Sequence, residues 1–287
     1  MAKLILGCGY LGSRVARRWR EAGHEVFVVT RDQGRAAEFL SQGYRPIVAD
    51  VTRARTMQDL PAAETVVYAV GHDRRSGGSP FDFHVHGLQN VLAALAPGTG
   101  RIIYVSSTGV YGQIEGELVD EDSPCRPDRE GGKAALAAER LLAEHAWGQR
   151  AIVLRLAGLY GPGRIPNAEA LRRGDPLAVP HQGYLNLIHV DDAATVVLAA
   201  ADRAQPPRTY VVSDGHPVER RAYYDELGRL LDLPRIRFAE PAPESHVLAR
   251  ASTSKRLVNV RMLNELGVSL AYPTYRQGLA AILSAGP

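Results

Sequence analysis

A glycine-rich segment near the start of the chain fits the pattern G-x-G-x-x-G, and its residues are Gly7, Cys8, Gly9, Tyr10, Leu11 and Gly12. It lies between a predicted strand and a predicted amphipathic helix, the context in which this pattern binds the pyrophosphate of a dinucleotide. Gly7 would permit a tight turn, Gly9 would let the backbone approach the phosphates, and Gly12 would let helix and strand pack closely. The N–H groups and the positive end of the helix would hold the anion, so we predict that all six residues bind a dinucleotide.

The end of the second predicted strand bears on the choice of dinucleotide. A carboxylate there binds the ribose 2′-hydroxyl of NAD, whereas a nearby arginine accommodates the 2′-phosphate of NADP. Thr30 holds this place, Arg31 follows it, and Arg35 lies four residues further along. These residues predict NADP as the cofactor. Asp32 keeps NAD open as the alternative, as does the possibility that Arg31 is an ordinary surface arginine.

Two histidine-containing segments could suggest a metal site, but their spacing and neighbours favour other roles. His84 and His86 are two residues apart, and side chains at that spacing on a helix point in different directions. We therefore predict no metal site there and expect a polar contact in the core. His189 precedes Asp191 and Asp192, which are typical of the start of a helix.

Composition excludes several classes of protein. The 287 residues are 45% hydrophobic and 23% charged, with a formal net charge of +3. This near-cancellation predicts no nucleic-acid partner, and the absence of a long apolar run predicts no membrane span. Two cysteines fit a cytoplasmic protein. Lys3, Lys133 and Lys255 are the only lysines, so each lysine is a candidate for a specific role.

Short β-branched runs alternate with longer amphipathic segments over the first 160 residues, as in βαβ units around a parallel sheet. The predicted strands are Lys3 to Leu6, Glu25 to Thr30, Pro46 to Ala49, Thr65 to Val70, Arg101 to Ser106 and Ala151 to Leu156. We predict an α/β fold, a Rossmann-type doubly wound parallel sheet with a smaller mixed C-terminal substrate lobe. The core would comprise residues 1–160, with 186–215 returning to it, and the lobe residues 161–185 and 216–287.

Later segments of the chain resemble those of the extended short-chain dehydrogenases/reductases, also called the NAD-dependent epimerase/dehydratase family. The segments that carry the resemblance, besides the glycine-rich one, are Ala49 to Val51, Ser106 to Gly112, Arg155 to Gly163, Leu187 to Asp192, Leu266 to Gly267 and Tyr272 to Pro273. The resemblance implies that Asp50 contacts the adenine. It also implies cofactor contacts at Val51, Ala69, Val70 and Ser106, and a homodimer packed through helices near 81–95 and 133–145. Ala134, Ala135, Ala137 and Ala138 would give the second helix a small-residue surface suited to close packing.

Family members use a Ser or Thr, a Tyr and a Lys as their reactive group. Ser107 matches the Ser/Thr position, but the Tyr has no match. If Lys133 is the family lysine, Arg129 stands at the Tyr position; if Ala138-Glu139 sets the register, Gly131 and Ala135 replace Tyr and Lys. Loss of the Tyr is similar to an atypical branch of the family. We name Ser107, Lys133 and Arg129 as the candidate catalytic residues.

Two functions from different classes follow. The first is an NAD(P)-dependent oxidoreductase or epimerase/dehydratase-like enzyme that acts on a small carbonyl or hydroxyl compound, sugar derivatives included. Its proton would come from water or from a residue outside the family motif. The second is a non-catalytic NADP(H)-binding redox sensor or scaffold that kept the cofactor site after losing the Tyr.

Overall fold

The computed structural model describes residues 1–58, 60–72, 77–233, 236–240 and 253–284. Its strands are β1 Ala2–Leu6, β2 Glu25–Thr30, β3 Arg45–Val48, β4 Thr65–Tyr68, β5 Arg101–Ser107, β6 Glu117–Val119, β7 Ala151–Leu156, β8 Gly158–Tyr160, β9 Tyr184–Leu185, β10 Leu187–His189, β11 Arg208–Val212, β12 Val218–Glu219 and β13 Lys255–Leu257. Its α-helices are α1 Gly12–Glu21, α2 Gln33–Ser41, α3 Gly87–Ala94, α4 Glu130–Glu144, α5 Ala168–Arg172, α6 Val190–Arg203, α7 Arg220–Leu230, α8 Val260–Leu266 and α9 Tyr275–Ser284. A π-helical turn, Asp82–His86, leads into α3.

A seven-stranded sheet in the order β11-β7-β5-β4-β1-β2-β3 forms the centre of the molecule, and all its paired strands are parallel. The chain runs outward from β1 through β2 to β3, then crosses to β4 on the other side of β1. Ligands of such sheets bind where the strand order reverses, at the carboxyl ends of the strands. The predicted Rossmann-type fold is therefore confirmed, and the reversal lies between β1 and β4.

Both faces of the central sheet are covered, which explains why strands such as β4 are buried throughout. On one face, Ile5 of β1 packs in a core with Val15 and Trp19 of α1 and with the alanines of α6. On the other face, residues of α3 and α4 pack against the neighbouring positions of β1, Leu4 and Leu6. Alternate residues of each strand thus serve two different cores.

The C-terminal part of the chain contributes to the central sheet and also builds a third core. Strand β11 pairs in parallel with β7 at the edge of the central sheet. The third core lies among α5, α7 and α9 and includes Tyr160, Leu171, Tyr223 and Leu279. The predicted division into core and lobe stays a prediction. Residues 234–235, 241–252 and 285–287 of the predicted lobe lie outside the described residues.

Helix α4 differs from the sequence expectation in one respect. Ala134, Ala135 and Ala138 were expected to form a small-residue surface for a second subunit, but each is fully buried within its own chain. The reason is that this stripe of α4 faces the sheet and the turn that follows β5. The homodimer itself stays a prediction. In the described part of the chain, no helix is both long enough and apolar enough to span a membrane.

Candidate active site

The glycine-rich segment forms a bare backbone turn between β1 and α1. Gly7 has φ +92°, and a Cβ on it would lie 2.5 Å from the Ala69 carbonyl carbon, so its backbone lies against the end of β4. A Cβ on Gly12 would lie 2.3 Å from the Gly7 oxygen, which ties α1 to the turn. A Cβ on Gly9 would meet nothing within 4 Å. Gly7 and Gly12 are therefore needed for packing, whereas Gly9 leaves open space beside the backbone.

That open space belongs to a cavity of about 480 Å³ at the reversal of strand order. Its lining is Gly7, Cys8, Gly9, Val29, Thr30, Arg31, Asp32, Arg35, Phe39, Ala49, Asp50, Val51, Ala69, Val70, Gly71 and Phe83. The structure thus brings together most of the residues that we predicted to bind the cofactor. Tyr10, Leu11, Gly12 and Ser106 are not part of the lining. The position of Gly12 is explained by its close packing on Gly7.

Two arginine side chains line the cavity near the end of β2. Arg31 and Arg35 both line it and are exposed, and Arg35 Nη2 donates to the Cys8 carbonyl oxygen at 2.9 Å. Asp32 lines the cavity as well, and its Oδ1 accepts from the Arg35 amide at 2.7 Å and caps α2. Burial raises the pKa of Cys8 to about 11, against the opposing effect of Arg35, so its thiol stays neutral.

Asp50 lies two residues beyond the end of β3 and lines the cavity. In the sheet, β3 and β1 lie on opposite sides of β2, and β1 leads into the glycine-rich turn. Asp50 Oδ1 accepts from the Thr52 amide at 3.0 Å and from the Thr52 hydroxyl at 2.8 Å. Asn90 of α3 donates to the Val51 carbonyl oxygen at 2.8 Å. These bonds hold the Asp50–Val51 segment in place beside the cavity before any ligand binds.

Ser106 belongs to a buried polar network beneath the carboxyl end of β5. Its hydroxyl donates to Glu139 Oε1 at 2.5 Å, and Arg155 Nη2 donates to Glu139 Oε2 at 2.8 Å. Arg155 Nη1 also donates to the Tyr111 hydroxyl at 2.8 Å. Tyr111 is fully buried, and burial raises its pKa, so its phenol stays protonated and is occupied within the network.

Ser107, the last residue of β5, projects beyond this network and is exposed. Its Oγ accepts from the Gly109 amide at 3.0 Å. A Cβ on Gly109 would lie 3.2 Å from Ser107 Oγ and 3.5 Å from Arg129 Nη2, so hydroxyl and guanidinium flank one point. The structure therefore brings together two of the three candidate catalytic residues.

Lys133, the third candidate, lies one helical turn beyond Arg129. Its Nζ donates to Glu130 Oε1 at 3.1 Å, and the pair is exposed. Glu139 points inward from the same helix, and Ala135, four residues before it, is also buried. Both registers, the one with Arg129 and Lys133 and the one with Gly131 and Ala135 at the family positions of Tyr and Lys, stay predictions. The role of Lys133 stays a prediction.

Two further cations lie near Arg129, and our sequence reasoning did not place them in the site. Lys255, the first residue of β13, is 6% exposed, and its Nζ donates to the Tyr111 carbonyl oxygen at 2.8 Å. Burial, and after it the charges of Arg129 and Arg220, lower the pKa of Lys255 to about 8. The scarcity of lysine was the one sequence signal that could have indicated Lys255. Arg220 carried no such signal.

His84 and His189 form hydrogen bonds within the fold. His84 Nδ1 lies 2.8 Å from the Tyr104 hydroxyl, and burial lowers the His84 pKa to about 4, so the ring is neutral in the core. His189 Nδ1 accepts from the Asp191 amide at 3.2 Å at the start of α6. Asp192 accepts from the amides of Ala271 and Tyr272. Among the described residues, no group of three or more His, Cys, Asp or Glu side chains could hold a metal ion.

Comparison with known proteins gives the family directly. The model of the NAD dependent epimerase/dehydratase family matches residues 4–213. This chain belongs to that family. The matched region spans the central sheet from β1 to β11, and it contains both the glycine-rich turn and Ser107. The family binds a nicotinamide dinucleotide, and the glycine-rich turn beside an open cavity fits such a ligand.

Individual relatives are similar over most of their length. Protein YeeZ of Escherichia coli K12 is 29% identical over 282 residues, which is 94% of this chain and 95% of that protein. The 2-alkyl-3-oxoalkanoate reductase of Stenotrophomonas maltophilia is 28% identical over 251 residues, 80% of this chain and 75% of that protein. A solved structure from Silicibacter pomeroyi, a conserved protein of unknown function, is 28% identical with a TM-score of 0.80 and covers 99% of this chain and 98% of its own.

Proposed function

We propose that this chain is an NADP(H)-dependent oxidoreductase that interconverts a small carbonyl compound and its alcohol. The observation that supports this most is the continuity of the site along one edge of the sheet. The cavity ends at Ala69, Val70 and Gly71 after β4, and Ser107 ends β5, the neighbouring parallel strand. Carboxyl ends of neighbouring parallel strands lie side by side, so Ser107 stands next to the cavity.

In this proposal the cofactor lies across the cavity. The backbone of Gly7 to Gly12 would hold the pyrophosphate, Asp50 and Val51 would flank the adenine, and Arg31 and Arg35 would bind the 2′-phosphate. NAD is the alternative that Asp32 leaves open. When bound, the nicotinamide supplies hydride transfer. The protein residues supply binding, orientation and charge.

Ser107 and Arg129 would orient and polarise the substrate oxygen. The Ser107 oxygen already accepts from the Gly109 amide, so its hydroxyl proton remains available for donation to a substrate carbonyl. Arg129 stays protonated at neutral pH, so it stabilises negative charge and does not deliver a proton. Lys133 would add positive charge from the next turn of α4. The proton itself would come from water or from a residue outside the family motif.

The substrate class is supported by chemistry at the site and by one relative. The name of the Stenotrophomonas maltophilia enzyme describes the reduction of a 3-oxoalkanoate, a ketone that also carries a carboxylate. A ketone is the group that Ser107 and Arg129 would polarise. Oxo acids are therefore the first compounds to test as substrates, together with neutral ketones and sugar derivatives.

The test is the loss of NADPH absorbance with a panel of these compounds. We expect turnover with at least one, and Ser107→Ala should lower kcat/KM by about tenfold to a hundredfold, since a positioned hydrogen bond to the reacting oxygen is removed. Ser41→Ala is the matched control, because Ser41 is exposed on α2 and donates to the Glu38 carbonyl oxygen. NADPH affinity should stay unchanged in both variants.

The second candidate function is a non-catalytic NADP(H)-binding sensor or scaffold. It is favoured by the lack of a tyrosine at the family position in either register, where Arg129 or Gly131 stands. Tight NADPH binding without turnover across the whole panel would support this function and contradict the oxidoreductase.

A further inference from the structure

The π-helical turn Asp82–His86 is explained by one hydrogen bond from the central sheet. In a regular α-helix the Gly87 amide would donate to the Phe83 carbonyl oxygen, four residues earlier. Here the Tyr68 hydroxyl of β4 donates to the Phe83 carbonyl oxygen. The Gly87 amide donates instead to the Asp82 carbonyl oxygen, five residues earlier. Turns with this spacing are rare and are frequently found at functional sites.

The turn packs tightly on β4. Tyr68 is fully buried, and a Cβ on Gly87 would lie 2.5 Å from the Tyr68 hydroxyl oxygen and 3.0 Å from Val51 Cγ2. A glycine at position 87 therefore leaves the room that the Tyr68 hydroxyl occupies. Asn90 of α3 donates to the Val51 carbonyl oxygen at 2.8 Å. The turn and α3 are thus held against both β4 and the segment that follows β3.

Phe83 lies in the wall of the cofactor cavity. It is only 5% exposed, and it lines the cavity together with Val51 and Val70. Its ring centroid lies 5.5 Å from that of His72, and a Cβ on Gly78 would lie 3.4 Å from Phe83 Cε2. Successive residues of an α-helix are about 100° apart around the helix axis, so a regular helix through this segment would turn Phe83 relative to α3 and away from its present position.

The contacts of the turn place Phe83 at the end of the cavity where Asp50 and Val51 lie. Val51 packs against Gly87, about one helical turn beyond Phe83, and both Val51 and Phe83 line the cavity. The proposed function assigns this end to the adenine, whereas the nicotinamide would lie toward Ser107. An adenine is flat and aromatic, and an aromatic side chain stabilises such a contact beyond the apolar area that it buries.

We propose that Phe83 contacts the adenine of the bound dinucleotide and that Tyr68 is the positioning residue that holds Phe83 there through the π-helical turn. The inference rests on the cofactor placement in the proposed function and not on turnover. Tyr68 does not line the cavity, so it would act only through the Phe83 carbonyl oxygen. The adenine is common to NADP(H) and NAD(H), so Phe83 would stabilise both dinucleotides equally.

Calorimetric titration of the full chain with NADPH and, separately, NADH tests the adenine contact. Phe83→Leu keeps a large apolar side chain and removes the ring, so both dinucleotides should bind about threefold to tenfold more weakly. 2′-Phospho-ADP-ribose, which lacks the nicotinamide, should lose the same factor as NADPH. Phe81→Leu is the matched control, because Phe81 precedes the turn, is half-buried and does not line the cavity.

Tyr68→Phe tests the positioning role. It removes the donor to the Phe83 carbonyl oxygen, so Phe83 should leave its place and both dinucleotides should again bind about threefold to tenfold more weakly. The double variant with Phe83→Leu should bind no more weakly than either single variant, because both changes remove the same contact. Tyr210→Phe is the matched control, since Tyr210 is a fully buried strand tyrosine at the sheet edge whose hydroxyl donates to Glu265 Oε2 at 2.9 Å. Cooperative unfolding in urea verifies that each variant is folded.

The outcomes separate this inference from the proposed function. Wild-type affinity in Phe83→Leu, or a loss for NADPH that is absent for 2′-phospho-ADP-ribose, would refute the adenine contact. Wild-type affinity in Tyr68→Phe, or losses that multiply in the double variant, would refute the positioning role. If the losses appear as expected but no compound is turned over, the inference stands and the oxidoreductase fails. A wild type that binds neither NADPH nor NADH would refute the inference and the cofactor site together.

Discussion

Arg155 Nη2 donates to Glu139 Oε2 at 2.8 Å, and both side chains are buried beneath the carboxyl end of β5. The pair joins β7 to α4. Through the bond between Ser106 and Glu139, it also fixes the strand end that carries Ser107. A buried pair is costly to break, because the remaining partner keeps its charge without compensation.

Glu139→Ala should therefore destabilise the protein by about 3 to 5 kcal/mol, because Arg155 would stay buried and unpaired. The measurement is the free energy of unfolding in urea. Glu169→Ala is the control, since Glu169 forms an exposed pair with Arg172 at 2.8 Å and should cost less than about 1 kcal/mol. Equal losses in the two variants would show that the Glu139 pair adds nothing specific.

Cofactor preference should change with Arg31. Arg31→Ala is expected to weaken NADPH binding by about tenfold, since a charge-assisted contact to the 2′-phosphate is lost, and to leave NADH binding unchanged. Arg45→Ala provides the control, because Arg45 is exposed and pairs with Glu25 at 3.1 Å. Should the NADPH preference survive in Arg31→Ala, the assignment of Arg31 would be refuted. Arg35 is a less direct test, because it also binds the Cys8 carbonyl oxygen.

Asp214 predicts a pH dependence of stability. It is 4% exposed, and burial raises its pKa to about 7. A raised pKa means that the protonated form is stabilised in the folded state, so this stability is fully present below the ordinary pKa of 3.8 and is lost as the pH rises through about 7. The loss should be on the order of a few kcal/mol. Asp214→Asn should remove this slope from the unfolding free energy measured at several pH values, and an unchanged slope would contradict it.

The proposed homodimer is tested by light scattering, which should give about twice the chain mass of 31.1 kDa. Of the four alanines expected at the subunit contact, Ala137 alone is not fully buried, so Ala137→Glu should place a charge in that contact and favour the monomer. A wild-type monomer at all protein concentrations would contradict the homodimer.

Local patterns predicted the sheet well because each strand carries its own signal. The strands Glu25–Thr30 and Ala151–Leu156 have the predicted bounds, and the cavity lies where β1, β2, β3 and β4 end. The burial of Ala134 and Ala138 was not predictable in the same way, because alanine is compatible with either face of a helix. Lys255 and Arg220 were missed for a different reason. They reach the site through pairings such as β13 with β6, between segments more than 130 residues apart, and no local spacing records them.

The central claim is that the cavity beside the glycine-rich turn binds a nicotinamide dinucleotide, and NADPH binding by Gly9→Val tests it most directly. A Cβ at Gly9 meets nothing within 4 Å, so the variant should fold as the wild type does. Its side chain would fill the space that the pyrophosphate needs, and NADPH affinity should fall by about a hundredfold or more. Gly98→Ala, whose Cβ would make an ordinary 3.5 Å contact with Ala62, is the control. Wild-type affinity in a folded Gly9→Val protein would contradict the account.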